Sequence, residues 1–148
     1  MNTLTVRILL VILFICKTAI STSAQDPIEG FWYDKNRNAK IQIFRGDDNR
    51  FYGKVAWLRN PLWNGKPKVD QINPDPENRD QPILGLMILR GFTRDGGEYE
   101  EGTVYDPRSG KTYSCKMKLA GDKLEVRGYI GMSLFGKSTS FTRAEQAD

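Results

Sequence analysis

The chain has 148 residues and no histidine. That absence removes both the commonest general base and the commonest metal-ligating side chain. Cysteine is nearly as scarce: Cys16 and Cys115 are the only two, so neither a zinc-binding cysteine pair nor a disulfide framework fits. No glycine-rich phosphate cradle stands between a strand pattern and a helix pattern. Lysine and arginine are spread singly, so no basic face of the kind that tracks a phosphate backbone forms, and no nucleic-acid partner is expected. Long apolar runs are missing too. The longest, Ile8 to Cys16, has nine residues, against roughly 20 for a bilayer-spanning helix.

Arg7 precedes that short run, and small and polar residues follow it down to Thr22-Ser23-Ala24. This is the layout of a cleavable signal peptide over residues 1–24, so a periplasmic or extracellular protein without a stable membrane anchor is expected. Lipidation at Cys16 is disfavoured because bulky Ile15 occupies the place where a small residue is needed. Arg7 and Lys17 lie in this segment and no acidic residue does, so the formal charge of +4 falls to +2 in residues 25–148. The remainder has room for one domain and one core.

Turn signals recur along it: Asn36-Arg37-Asn38, Gly46 to Asn49, Arg94 to Gly97, Asp106 to Gly110, Gly121-Asp122 and Gly131 to Gly136. With one long connection, Arg59 to Pro82, they delimit eight strands near 28–34, 39–45, 50–58, 83–92, 98–105, 111–119, 123–130 and 137–143. The fold class expected is all-β, a single eight-stranded antiparallel up-and-down barrel. Closing such a sheet brings its first and last strands together. Trp32 and Arg143 stand at those two ends, and a guanidinium laid on an indole adds roughly 0.5–2 kcal/mol at the seam.

The pattern Tyr113, Cys115, Met117, Leu119 against Thr112, Ser114, Lys116, Lys118 alternates strictly, giving one buried and one wet face. Cys115 is thereby expected inside, as a small apolar residue. The segment Glu98 to Tyr105 leaves its inward face ambiguous. Ile83 to Leu89 is apolar throughout apart from Gly85, so both faces should be covered. The expected cover is the connection Arg59 to Pro82, an ordered flap stiffened by prolines, with Leu62 and Trp63 as apolar feet.

That flap concentrates Asp70, Asn73, Asp75, Asn78, Arg79 and Asp80. Asn73-Pro74 and Asp75-Pro76 suit Asx-turns whose side chains satisfy local amides. Ligand contact is a second reading, and a calcium site a weaker third, since the spacing matches no known calcium loop. Paired carboxylates could do acid and base work, with Asp70, Asp75 or Asp80 as the candidates. No cofactor is implied.

Several motifs occur in order: Gly30-Phe31-Trp32; Asp70-x-x-Asn73-Pro74-Asp75-Pro76-x-x-Arg79; Pro82-Ile83-Leu84-Gly85; Tyr105-Asp106-Pro107-x-x-Gly110-Lys111-x-Tyr113; Arg127-Gly128-Tyr129. Together, from Ile28 to Arg143, they resemble a bacterial family known as domain of unknown function 2147. The resemblance implies an exported bacterial protein with a barrel like that of lipocalins or fatty-acid-binding proteins, and it implies no activity. The lipocalin likeness itself rests on Gly30-x-Trp32 and Arg143. The absence of a disulfide and the proline-rich flap depart from it.

The function expected is an exported binding module for a small apolar or amphipathic ligand. Trp57, Trp63, Tyr113, Met117 and Tyr129 are the wall candidates, and Asp70, Asn73, Asp75 and Arg79 the polar contacts from the flap. An envelope enzyme using the carboxylates of residues 59–82 and a protein-interaction module on a filled barrel are the alternatives.

Overall fold

The computed structural model describes residues 24–129 and 137–145, apart from the side chains at 129 and 137. The expected signal peptide, except for its last residue Ala24, and the expected turn Gly131 to Gly136 lie outside the described residues. The described chain forms β1 (Gly30–Tyr33), β2 (Ala39–Arg45), β3 (Phe51–Leu58), β4 (Leu62–Trp63), β5 (Lys66–Pro67), β6 (Met87–Asp95), β7 (Glu98–Asp106), β8 (Lys111–Ala120), β9 (Lys123–Tyr129) and β10 (Lys137–Ala144). Eight of them close an antiparallel barrel in the order β1-β10-β9-β8-β7-β6-β3-β2, and β4 and β5 form a separate hairpin. The all-β, eight-stranded antiparallel barrel expected from the sequence is the fold.

The seam is short. Phe31, Trp32 and Tyr33 of β1 pair with Ala144, Arg143 and Thr142 of β10. The Arg143 guanidinium lies 3.8 Å from the centre of the Trp32 ring. It also donates to the carbonyl of Glu29 at 2.9 Å and to that of Pro27, while the Trp32 indole N–H donates to the Ile28 carbonyl at 2.8 Å. Trp32 is fully buried. Covering an indole removes about 200 Å² from water, a gain of roughly 5 kcal/mol before ordering entropy is charged against it.

One end of the barrel is stoppered by residues 26–29. Ile28 is fully buried, and Asp26 follows it inside. The Asp26 carboxylate accepts from the Tyr99 hydroxyl at 2.5 Å, the Ile28 amide at 3.1 Å and Arg94 at 2.8 Å. Burial, the largest influence, pushes the Asp26 carboxyl upward, but the bonds from Tyr99, Ile28 and Arg94 together outweigh it and leave it below the ordinary carboxylate value. Above this stopper Phe51, Leu89, Phe92, Tyr99, Cys115, Met117, Leu124 and Val126 fill the interior. Two glycines make room for it: a Cβ at Gly102 would sit 2.4 Å from the Phe92 ring, and one at Gly53 would sit 2.8 Å from Leu89. Toward the other end the inward-facing Val104 and Tyr113 are half-buried.

Two stretches depart from simple alternation. In β7 Glu101 adopts φ 61° and the register slips between Tyr99 and Gly102, so that both point inward, which resolves the ambiguous Glu98–Tyr105 segment as a bulged strand. The expected strand 83–92 begins only at Met87 and runs on to Asp95. Its start is a turn: Gly85 takes φ 89° and the Leu86 amide donates to the Ile83 carbonyl at 3.1 Å. Leu84 is consequently 50% exposed, which corrects the expectation that the whole Ile83–Leu89 run is covered.

Candidate functional site

The connection from β3 to β6 is ordered by its own backbone. The Asp70 amide donates to Gln81 O and the Ile83 amide to Lys68 O, each at 2.9 Å, so the segment folds back on itself as a flap. Within it the Asn73 side chain accepts from the Asp75 amide at 2.9 Å, and the Asp75 side chain accepts from the Glu77 amide at 3.0 Å, capping a 3₁₀ turn at Pro76–Asn78. These are the Asx-turns that Asn-Pro and Asp-Pro favour. Arg79 donates from Nε to the Asn73 carbonyl at 2.9 Å.

Asp70 stands apart from its acidic neighbours, because it is fully buried. One carboxylate oxygen accepts from the Tyr105 hydroxyl at 2.9 Å and the other from the Asn73 amide nitrogen at 2.7 Å. Tyr105 belongs to β7 next to the inward-facing Val104, so it projects from the outer face of the barrel. Burial, followed by the hydrogen bond to Asp70, pushes the Tyr105 phenol up to about 12. The Ile72 carbonyl rests on Gly110 in the β7–β8 turn so closely that a Cβ there would fall 2.2 Å from it. The flap is therefore docked on the outside of the wall at two points.

Between flap and wall lies a cleft of about 300 Å³. Leu86, Met87 and Ile88 contribute apolar surface, Thr103, Tyr105 and Thr112 hydroxyls, and Asn73, Asn78 and Gln81 amides. Arg90, exposed, also lines it and makes no hydrogen bond or ion pair with any described residue. An apolar strip beside one unpaired guanidinium, at the lower end of the volume range of ligand pockets, can hold a small molecule with an apolar body and an anionic end.

The structure brings Asp70 and Asn73 together and places Asp75 and Arg79 in the supporting turns. Tyr105 and Arg90 went unremarked as site residues in the sequence. Plain alternation puts Tyr105 in phase with the buried Tyr99, and the bulge at Glu101 that turns it to the outer face has no apolar signal in the sequence. Trp57 pairs with Lys40 and meets Tyr33 edge-on at 6.1 Å, and the Lys40 ammonium lies 5.1 Å from the Tyr33 ring and 5.8 Å from that of Trp57. A slip in the β2–β3 register next to Lys40 puts Trp57 on the face opposite Val55, so it does not line the interior. Met117 is packed inside the core cluster, Tyr113 is half-buried, and the Tyr129 side chain lies outside the described set. Leu62 and Trp63 are 53% and 68% exposed rather than feet beneath the flap, since the hairpin that carries them turns them outward. Cys115 is buried, and burial drives its thiol up to about 12. Among the described residues no group of three or more Cys, Asp and Glu is placed to hold a metal ion, and no helix is long and apolar enough to cross a membrane.

A closed eight-stranded barrel with a stoppered end and an indole–guanidinium seam defines a lipocalin-like protein. Consistent with this, the structure matches that of protein HP1028 from Helicobacter pylori, described as belonging to the lipocalin family, with a TM-score of 0.68 and 21% identity over 79% of this chain and 82% of that one. At that identity the likeness is one of fold. The family described as "Uncharacterized protein conserved in bacteria (DUF2147)" matches residues 30–143, and the chain belongs to it. No curated protein sequence matches significantly.

Proposed function

We propose that this protein is an exported lipocalin-like binding module that takes a small amphipathic anion, held in the cleft between the flap and the outer face of β6–β8. The observation that carries this reading is the bond from half-buried Tyr105 to buried Asp70, which holds the flap at a fixed distance from the wall and so keeps the cleft formed before any ligand arrives. Leu86, Met87 and Ile88 would receive the apolar body, Arg90 the acidic group, and the Thr103 and Thr112 hydroxyls would orient it. Export is supported by the Arg7–Ala24 pattern. A filled lower barrel favours this outer cleft over the interior position expected from Trp57 and Met117.

Calorimetric titration of octanoate into residues 25–148, with native mass spectrometry for a co-purified adduct, tests the reading. Arg90→Ala should weaken octanoate about tenfold or more, as loss of a charge-assisted hydrogen bond does. Absence of both octanoate binding and any adduct, or binding indifferent to Arg90, would overturn it.

A further inference from the structure

Among the described residues four large apolar side chains stand exposed, Leu62, Trp63, Ile72 and Leu84, and all four belong to the connection between β3 and β6. Two of them are neighbours on one well-defined element. Leu62 pairs with Pro67 and Trp63 with Lys66, and the Lys68 amide donates to Pro61 O at 2.9 Å. The turn is Asn64-Gly65, with φ of 50° and 75°, the two-residue type whose backbone twist matches that of the flanking strands. Trp63, at 68% exposure, is thus held out by a hydrogen-bonded hairpin.

The charges along the hairpin's own segment are of one sign. From Arg59 to Val69 there is no acidic residue, while Arg59, Lys66 and Lys68 are basic, and none of the three forms an ion pair with a described residue. The first acid beyond them, Asp70, is buried and occupied by Tyr105 and Asn73.

We propose that the β4–β5 hairpin docks the protein on the anionic surface of a phospholipid bilayer, with Leu62 and Trp63 at the headgroup boundary and Arg59, Lys66 and Lys68 facing lipid phosphates. Indoles favour that boundary, where the ring is shielded and its N–H stays wet. Basic side chains near an anionic leaflet each strengthen attachment roughly five-fold. A stable protein interface buries about 800 Å² on each partner, whereas the tip offers two large apolar side chains. A bilayer accepts such side chains one at a time. The resulting attachment is reversible and sensitive to salt.

The barrel is complete within residues 26–144, so residues 25–148 carry the whole fold and leave out the apolar leader. Co-sedimentation with vesicles of equimolar phosphatidylglycerol and phosphatidylcholine should show binding that pure phosphatidylcholine vesicles lack. Tryptophan emission should shift to the blue on binding. Trp63→Ser should abolish the shift, and the double reversal Lys66→Glu, Lys68→Glu should weaken binding by at least roughly 25-fold, about five-fold per cation removed. Trp63 and Lys66 are exposed and Lys68 is half-buried, and unchanged melting would show the barrel intact. Equal binding to the two vesicle types, or vesicle affinity indifferent to these variants, overturns the proposal. So does a stoichiometric complex with an envelope protein formed through Trp63 without vesicle binding.

Discussion

Tyr105 donates its hydroxyl proton to Asp70 across 2.9 Å, joining two residues 35 apart in sequence and fixing the flap to the barrel wall. The acceptor, Asp70, is fully buried, while Tyr105 is half-buried at the edge of the cleft. Tyr105→Phe leaves the carboxylate with Asn73 as its one remaining side-chain donor, and the expected loss is about 2 kcal/mol in denaturant unfolding. Hydrogen exchange should also quicken at residues 70–81 more than in β8. A flap whose exchange is unmoved by Tyr105→Phe would show that its docking rests elsewhere.

Gly110 offers a second handle on the same contact. Its φ of 65° and the nearby Ile72 carbonyl leave no place for a side chain. Gly110→Ala should therefore cost about 1–3 kcal/mol, straining the β7–β8 turn and loosening the flap docked on it. Limited proteolysis would read this as cleavage between Arg59 and Pro82.

Asp26 makes the stopper sensitive to acid, with a definite sign. Its folded carboxyl is held below the ordinary value of 3.8, so the stopper's contribution is complete above that value and is lost as pH falls through the lower, folded one. The stability gap between the native protein and Asp26→Asn should be widest above about pH 5 and narrow progressively below pH 4. Chemical denaturation across that range measures it. A constant gap would mean that the carboxylate's charge is not what the site uses.

Cys115 should behave as a silent thiol. With its pKa raised to about 12 by burial, it should resist a thiol reagent at pH 8 in the folded state and react at once in denaturant. Rapid labelling of the native protein would place it in a part of the barrel that opens locally.

Arg143→Ala removes the cation from the Trp32 face together with the bonds to Pro27 and Glu29. About 2–3 kcal/mol of stability should go with it. Arg143→Lys should recover little, because a point charge cannot stack on the ring and reach both carbonyls at once.

Strand periodicity was legible wherever one face is buried and the other wet, as in β8, because alternation is a direct record of burial. It failed at Glu101 and at Gly85, where a positive φ inserts a bulge or a turn that resets the phase, and no apolar pattern announces this in advance. The Asx-turns of the flap were readable because Asn73 and Asp75 act on amides two residues away. Apart from the Trp32–Arg143 seam, which the closing of the sheet itself announces, contacts across long sequence distances were not. Asp26 meeting Tyr99, and Asp70 meeting Tyr105, depend on how the barrel wraps, and a lone aspartate in the sequence carries no mark of the hydroxyl it will find. Trp57 was misplaced for the same kind of reason, since a single slip in β2–β3 register turned it outward.

The three-pair seam also sets the order in which the molecule can be built. Arg143 reaches back to Glu29 across 114 residues, so no cylinder exists until β10 has been synthesised. Before that moment the open sheet has free edges at β1 and β9 and an uncapped Trp32. Long-range closure of this sort comes late and slowly in folding. A nascent chain therefore stays open and threadable until its final strand is released, and truncation before Thr142 should leave an unsealed, sticky sheet rather than a smaller barrel.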